Sequence, residues 1–146
     1  MSETIPPRLM LVDDELAYLE TLIKRLTRRG YAVRSAGGGQ EALDELARDP
    51  DVDVVVLDVR MPGLDGIETL RRLKERHPLI EVVMLTGHAS VEAAIRGMEI
   101  GAFDYLMKPV ELDDLIYKIQ DACKKKRLQE GRLGAGRSAA SGAEPA

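Results

Sequence analysis

Short aliphatic runs rich in β-branched residues alternate along the chain with longer segments whose apolar residues recur at helical spacing. Leu9–Val12, Val52–Leu57 and Val82–Leu85 with its neighbours are of the first kind. They are apolar throughout or nearly so, which suits strands covered on both faces. Leu19, Leu22, Ile23 and Leu26 fall at i, i+3, i+4 and i+7, the stripe of an amphipathic helix. Val91, Ala94, Ile95 and Met98 repeat the pattern, as do Leu112, Leu115, Ile116, Ile119 and Cys123. Weaker segments fill the gaps. Tyr31–Ala36 predicts a strand, Gln40–Ala47 a short helix, Gly66–Arg76 a helix with Ile67, Leu70 and Leu73 inward, and Phe103–Met107 a short last strand. Gly30, Pro50 and Pro78 punctuate the ends of the first three helices. Ser90 suits an N-cap, and Glu92 and Glu111 fall in first turns.

Five strand–helix units in alternation predict an α/β fold, a five-stranded parallel sheet with helices on both faces. The doubly wound, flavodoxin-like order 2-1-3-4-5 fits that count. It places a ligand crevice beyond the carboxyl ends of the strands, where strands 1 and 3 diverge. Residues 1–130 form the predicted domain. From about Gly131 the chain is Gly, Ala, Ser and Arg without periodicity, which predicts a flexible tail over 131–146.

Composition narrows the function. The 146 residues suffice for a core without disulfides or a structural metal, and a single cysteine rules out an internal disulfide. Aromatics make up 3% of the chain and tryptophan is absent, so the core is aliphatic and no base-stacking platform is available. The net charge of −4 argues against direct nucleic-acid binding. The one basic run, Lys124-Lys125-Lys126-Arg127, reads as the solvated C-terminal turn of a helix. Neither a secretory signal nor a bilayer-length apolar stretch is visible, so the expected location is the cytoplasm, away from membrane.

The polar residues at the predicted strand ends carry the chemistry. Strand 1 ends in Asp13-Asp14, followed by Glu15; strand 3 ends in Asp58; strand 4 ends in Thr86-Gly87; strand 5 ends near Lys108-Pro109. Gathered in one crevice, the carboxylates repel unless a cation compensates. A hard divalent ion with oxygen ligands, Mg2+, suits that set. Lys108 adds a flexible ammonium, Thr86 a hydroxyl donor, and Gly87 leaves room for an incoming group. Together they make a phosphoryl-transfer apparatus with Asp58 as the nucleophile.

These residues resemble the receiver domains of two-component response regulators over roughly residues 8–127. The matching stretches are Leu11-Val12-Asp13-Asp14-Glu15, Val56–Gly63 with Asp65-Gly66, Leu85-Thr86-Gly87, and Gly101–Pro109. The resemblance implies that Asp58 is the phosphoacceptor, filled by a sensor histidine kinase or a phosphotransfer protein. It implies that Asp14, Asp58 and the backbone carbonyl of Arg60 ligate magnesium, with Asp13 acting largely through water. Thr86 would bond a phosphoryl oxygen and shift on activation, Tyr105 would turn inward in response, and the Lys108–Pro109 peptide would be cis. Output would pass through a helix 4–strand 5–helix 5 face near Ile95, Met98, Tyr105 and Ile119, to a partner protein or in a phosphorylation-dependent homodimer. Arg60 and His88, two residues after the phosphoacceptor and the threonine, would tune hydrolysis of the acyl phosphate.

Each feature has a plainer reading. An Asp pair can cap a helix, and Asp58 before Pro62 and Gly63 can form a turn. Gly37-Gly38-Gly39 lacks the spacing and the lysine of a nucleotide loop. A magnesium phosphatase of the haloacid dehalogenase type wants an aspartate where Arg60 stands. An FMN carrier would meet repulsion from Asp13-Asp14-Glu15. A constitutive interaction module would not need the full acidic set.

Overall fold

The computed structural model describes residues 5–59, 65–87 and 91–143, with side chains to residue 133. In chain order the elements are β1 (Arg8–Val12), α1 (Leu16–Arg28), β2 (Ala32–Ala36), α2 (Gly39–Arg48), β3 (Val54–Asp58), α3 (Gly66–Arg76), β4 (Glu81–Thr86), α4 (Val91–Ile100), β5 (Asp104–Met107) and α5 (Leu112–Ala143). The strands form one sheet in the order β2-β1-β3-β4-β5, and every pairing is parallel. The expected topology is the one observed.

The aliphatic runs explain why the sheet lies in the middle. Successive side chains on a strand point to opposite faces. Met10, Val12, Val55, Leu57, Val82 and Met84 therefore share one face with Leu43, Leu46, Leu70 and Leu73 of α2 and α3. Leu9, Leu11, Val54, Val56, Val83 and Leu85 share the other with Leu19, Leu22 and Leu26 of α1 and Leu115 and Ile119 of α5. Each large aliphatic side chain so buried contributes roughly 1.5–3 kcal/mol. Both clusters are needed, which is why the central strands carry no alternating polar face. Gly30 ends α1 at φ +95, a left-handed conformation that favours glycine. Asp65 caps α3, its side chain accepting from the Glu68 amide at 2.8 Å.

On α4, Val91 is exposed, as are Ile95 and Met98, which are expected on the output surface, and the helix packs inward through Ala93, Gly97 and Ile100. Three expectations need correction. Ile119, expected on an output surface, is fully buried. The basic run lies within a helix rather than at its end, and only Lys124 and Lys125 are exposed. Lys126 is buried and bonds Asp53 at 3.0 Å, Lys125 reaches Glu81 at 3.2 Å, and Arg127 reaches Asp53 at 3.2 Å. Helix α5 itself continues to Ala143, well past residue 130. Ser90 lies outside the described residues.

Candidate functional site

The crevice is built by the ends of four parallel strands. β1 delivers Asp13 and Asp14 one and two residues past Val12, β3 ends on Asp58, β4 ends on Thr86, and the turn after β5 delivers Lys108. β1 and β3 are neighbours, and their connections leave toward opposite faces of the sheet, so the two carboxylate-bearing ends open into one gap. The chain closes the far wall with a backbone bond from the Lys108 amide to the Thr86 carbonyl at 2.8 Å. The Lys108–Pro109 peptide is cis.

Asp13, Asp14 and Asp58 each offer a carboxylate oxygen, and these oxygens lie within 4.8 Å of one another. Asp13 and Asp58 are buried, while Asp14 is exposed. The Lys108 ammonium sits among them, 2.8 Å from Asp13, 3.4 Å from Glu15 and 3.5 Å from Asp58. Burial alone would lower the Lys108 pKa, but the hydrogen bond it donates to Asp13 and the charges of Asp13 and Asp58 outweigh it and raise the pKa. The second Asp13 oxygen accepts from the Glu15 amide at 2.9 Å. Asp13 is therefore committed on both oxygens, and Asp14 is the carboxylate that faces solvent.

Charge decides what this crevice is suited to hold. Three aspartates against one lysine leave two formal negative charges unbalanced. Like charges about 4 Å apart repel by about 4 kcal/mol at an effective dielectric of 20. The donors are hard oxygens, without histidine or cysteine, which matches magnesium or calcium rather than zinc. The residues present thus fit a divalent cation.

Thr86 is buried at the rim. A methyl group built on Gly87 beside it meets nothing within 4 Å, so the space expected there exists. Tyr105 is 43% exposed and lines a surface groove of about 350 Å³ with Val91, Ala94, Ile95, Met98 and Glu99. It does not enter the crevice in this form of the molecule. Arg60 and His88 lie outside the described residues.

One participant was missed from the sequence. Tyr18, in the first turn of α1, lies beneath the Lys108 ammonium, which is 4.6 Å from its ring centroid. Its spacing from Asp14 places it on the inward side of α1 one turn after the acidic pair. That was the available signal, hidden because the position reads as ordinary core.

A doubly wound sheet with an acidic, lysine-bearing crevice at its switch point defines the class. Comparison with known proteins gives the family. Residues 9–120 match the model of the response regulator receiver domain. The chain is 40% identical over 136 residues to the response regulator MprA of Mycolicibacterium vanbaalenii, covering 93% of this chain and 57% of that protein. It is 35% identical over 120 residues to the DNA-binding transcriptional regulator NtrC of Klebsiella pneumoniae, covering 82% of this chain and 25% of that protein. Among solved structures, a response regulator receiver domain protein of Clostridium thermocellum superposes with a TM-score of 0.81 at 35% identity, over 84% of this chain and 98% of that one. The chain belongs to the response regulator receiver domain family of two-component signalling. It spans a little over half the length of MprA and a quarter of NtrC. Among the described residues no helix is long and apolar enough to cross a membrane.

Proposed function

We propose that this domain accepts a phosphoryl group on Asp58 from a sensor histidine kinase or a phosphotransfer protein, with magnesium, in the cytoplasm. The observation that carries the reading is the Lys108 ammonium 3.5 Å from Asp58, inside a cluster of three carboxylates. An Asp58 oxygen attacks phosphorus in line, the bond from phosphorus to the donor atom breaks, and the donor leaves with its electron pair. Lys108 exchanges part of its contact with Asp13 for a phosphoryl oxygen, and the Thr86 hydroxyl donates to another. Asp14, Asp58 and the Arg60 carbonyl would hold magnesium, Asp13 acting largely through water, and the ion would supply positive charge that offsets the charge of the transferred group. The protein's contribution is positioning and electrostatics.

The acyl phosphate then biases an existing two-state equilibrium, with Thr86 shifting and Tyr105 turning inward. The groove between α4 and β5 is the surface this reading assigns to output, engaging a partner protein or a second phosphorylated copy. Its exposed Ile95, Met98 and Tyr105 support that assignment. Arg60 and His88, two residues after Asp58 and Thr86 in the sequence, would set how water reaches the acyl phosphate; Arg60→Ala and His88→Ala are expected to change the dephosphorylation rate.

Incubation with acetyl phosphate and magnesium, followed by intact mass measurement, tests the proposal. One phosphoryl adduct is expected, absent in Asp58→Asn and absent with excess chelator. An unlabelled wild-type chain, or a fully labelled Asp58→Asn, overturns it.

A further inference from the structure

We propose that Tyr18 is a positioning residue for phosphoryl transfer, its ring seating the Lys108 ammonium between Asp13 and Asp58. The inference deepens the phosphoacceptor reading and rests on it. Lysine carries its charge on a flexible four-carbon stem, so an ammonium that must meet a phosphoryl oxygen needs something to limit its rotamers. Three of its neighbours are carboxylates, at Asp13, Glu15 and Asp58. Carboxylates attract the ammonium but do not choose among themselves. The Tyr18 ring lies against the amine at 4.6 Å, well inside the roughly 6 Å range of cation–π attraction. It belongs to α1, the helix that Asp13 and Asp14 lead into, so lysine seat and carboxylates are fixed by one short stretch of chain.

The hydroxyl argues the same way. Tyr18 Oη is buried and has no hydrogen-bond partner among the described residues. A buried tyrosine whose phenol serves the structure normally has a partner. Here the ring face is the part in use. Tyr18 also packs at the edge of the apolar cluster formed by α1, α5 and the sheet. A purely structural tyrosine would act through that packing and not through Lys108, and the two roles separate experimentally.

The test measures the rate of adduct formation with acetyl phosphate and magnesium in the whole chain. Wild type, Tyr18→Leu, Tyr18→Phe, Lys108→Ala and the Tyr18→Leu/Lys108→Ala double variant are compared, thermal melts checking that each is folded. Tyr18→Leu is expected to slow labelling roughly fivefold, in line with a partly desolvated cation–π contact. Tyr18→Phe, which keeps the ring, restores the lost rate. In the Lys108→Ala background Tyr18→Leu costs nothing further, because the group it positions is gone. The NMR order parameter of the Lys108 Cε methylene falls in Tyr18→Leu and not in Tyr18→Phe. Equal rates for wild type and Tyr18→Leu overturn the inference. So does a Tyr18→Leu effect that persists undiminished without Lys108, or a Tyr18→Phe variant as slow as Tyr18→Leu. A wild-type chain that takes no label refutes the phosphoacceptor reading itself, and this role with it.

Discussion

Gly66 opens α3 directly against the backbone that carries Asp58. A methyl group built there would lie 2.5 Å from the Val59 Cα, 2.7 Å from the Val59 carbonyl oxygen and 2.8 Å from the Asp58 carbonyl oxygen. All three are main-chain atoms that cannot swing aside. The Gly66 amide also donates to the Val59 carbonyl at 3.2 Å, so the close approach is bonded as well as steric. Gly97 offers a contrast. A methyl there meets the Sδ and Cε of Met84 and, at 3.6 Å, the Cδ2 of Leu70, all far ends of side chains rather than backbone. Gly66→Ala is therefore expected to destabilise by roughly 2–4 kcal/mol in urea unfolding and Gly97→Ala by about 1–2 kcal/mol, from the usual cost of overpacking. Gly97→Ala as the costlier of the pair would contradict this account. At this scale the sequence was informative about charge and silent about aromatics. Asp13, Asp14, Asp58, Thr86 and Lys108 were legible because only a strand-end crevice gathers such groups. Tyr18 was not, because an inward aromatic on a helix is indistinguishable from core until Lys108 is seen above it.

Helix α5 is tied by ions to the amino ends of β1 and β3, the end of the sheet opposite the acidic crevice. Asp53, fully buried just before β3, accepts from the Arg8 amide and guanidinium, from Lys126 at 3.0 Å and from Arg127 at 3.2 Å. Burial would raise its pKa, but the hydrogen bonds from Arg8 and Lys126 outweigh it and hold the carboxyl well below the usual carboxylate range. A carboxyl depressed in the folded state stabilises the fold above its unfolded pKa, about 3.9. That contribution is lost as pH falls toward the lower folded value. Asp53→Asn is expected to cost roughly 2–4 kcal/mol at pH 7, discounted because Arg8 and Arg127 are partly exposed and can reach water. The gap from wild type should narrow steadily below about pH 4. A gap unchanged between pH 7 and pH 3 in urea unfolding would show that Asp53 acts through shape alone. These ties also explain the misread basic run. Lys124-Lys125-Lys126-Arg127 looks like a solvated turn because its partners, Asp53 and Glu81, lie about 70 and 40 residues away along the chain.

Across the whole molecule, strand order and both core clusters were legible from alternation and from aliphatic runs, since a parallel sheet covered on both faces leaves little freedom in where such runs go. The molecule that results has two ends with different work. The amino ends of β1 and β3 are locked by Arg8, Asp53 and Lys126. The carboxyl ends gather like charges that a cation would relieve. Between them, α4 packs inward through Ala93, Gly97 and Ile100 and leaves Val91, Ile95 and Met98 uncovered. A helix with one apolar face bare is the element a few kcal/mol at the crevice can move. Hydrogen exchange in α4 is accordingly expected to change on phosphorylation more than exchange in α2. The reverse order would point to a different output face.

The central claim is chemical, that folding makes Asp58 alone, among the clustered aspartates, the nucleophile. Borohydride reduction of the acetyl-phosphate-treated chain, followed by peptide mapping, tests it directly, because only an acyl phosphate is reduced. Reduction confined to position 58 is the predicted result. Reduction at Asp13 or Asp14, or none in a chain that carries the phosphoryl mass, would contradict it.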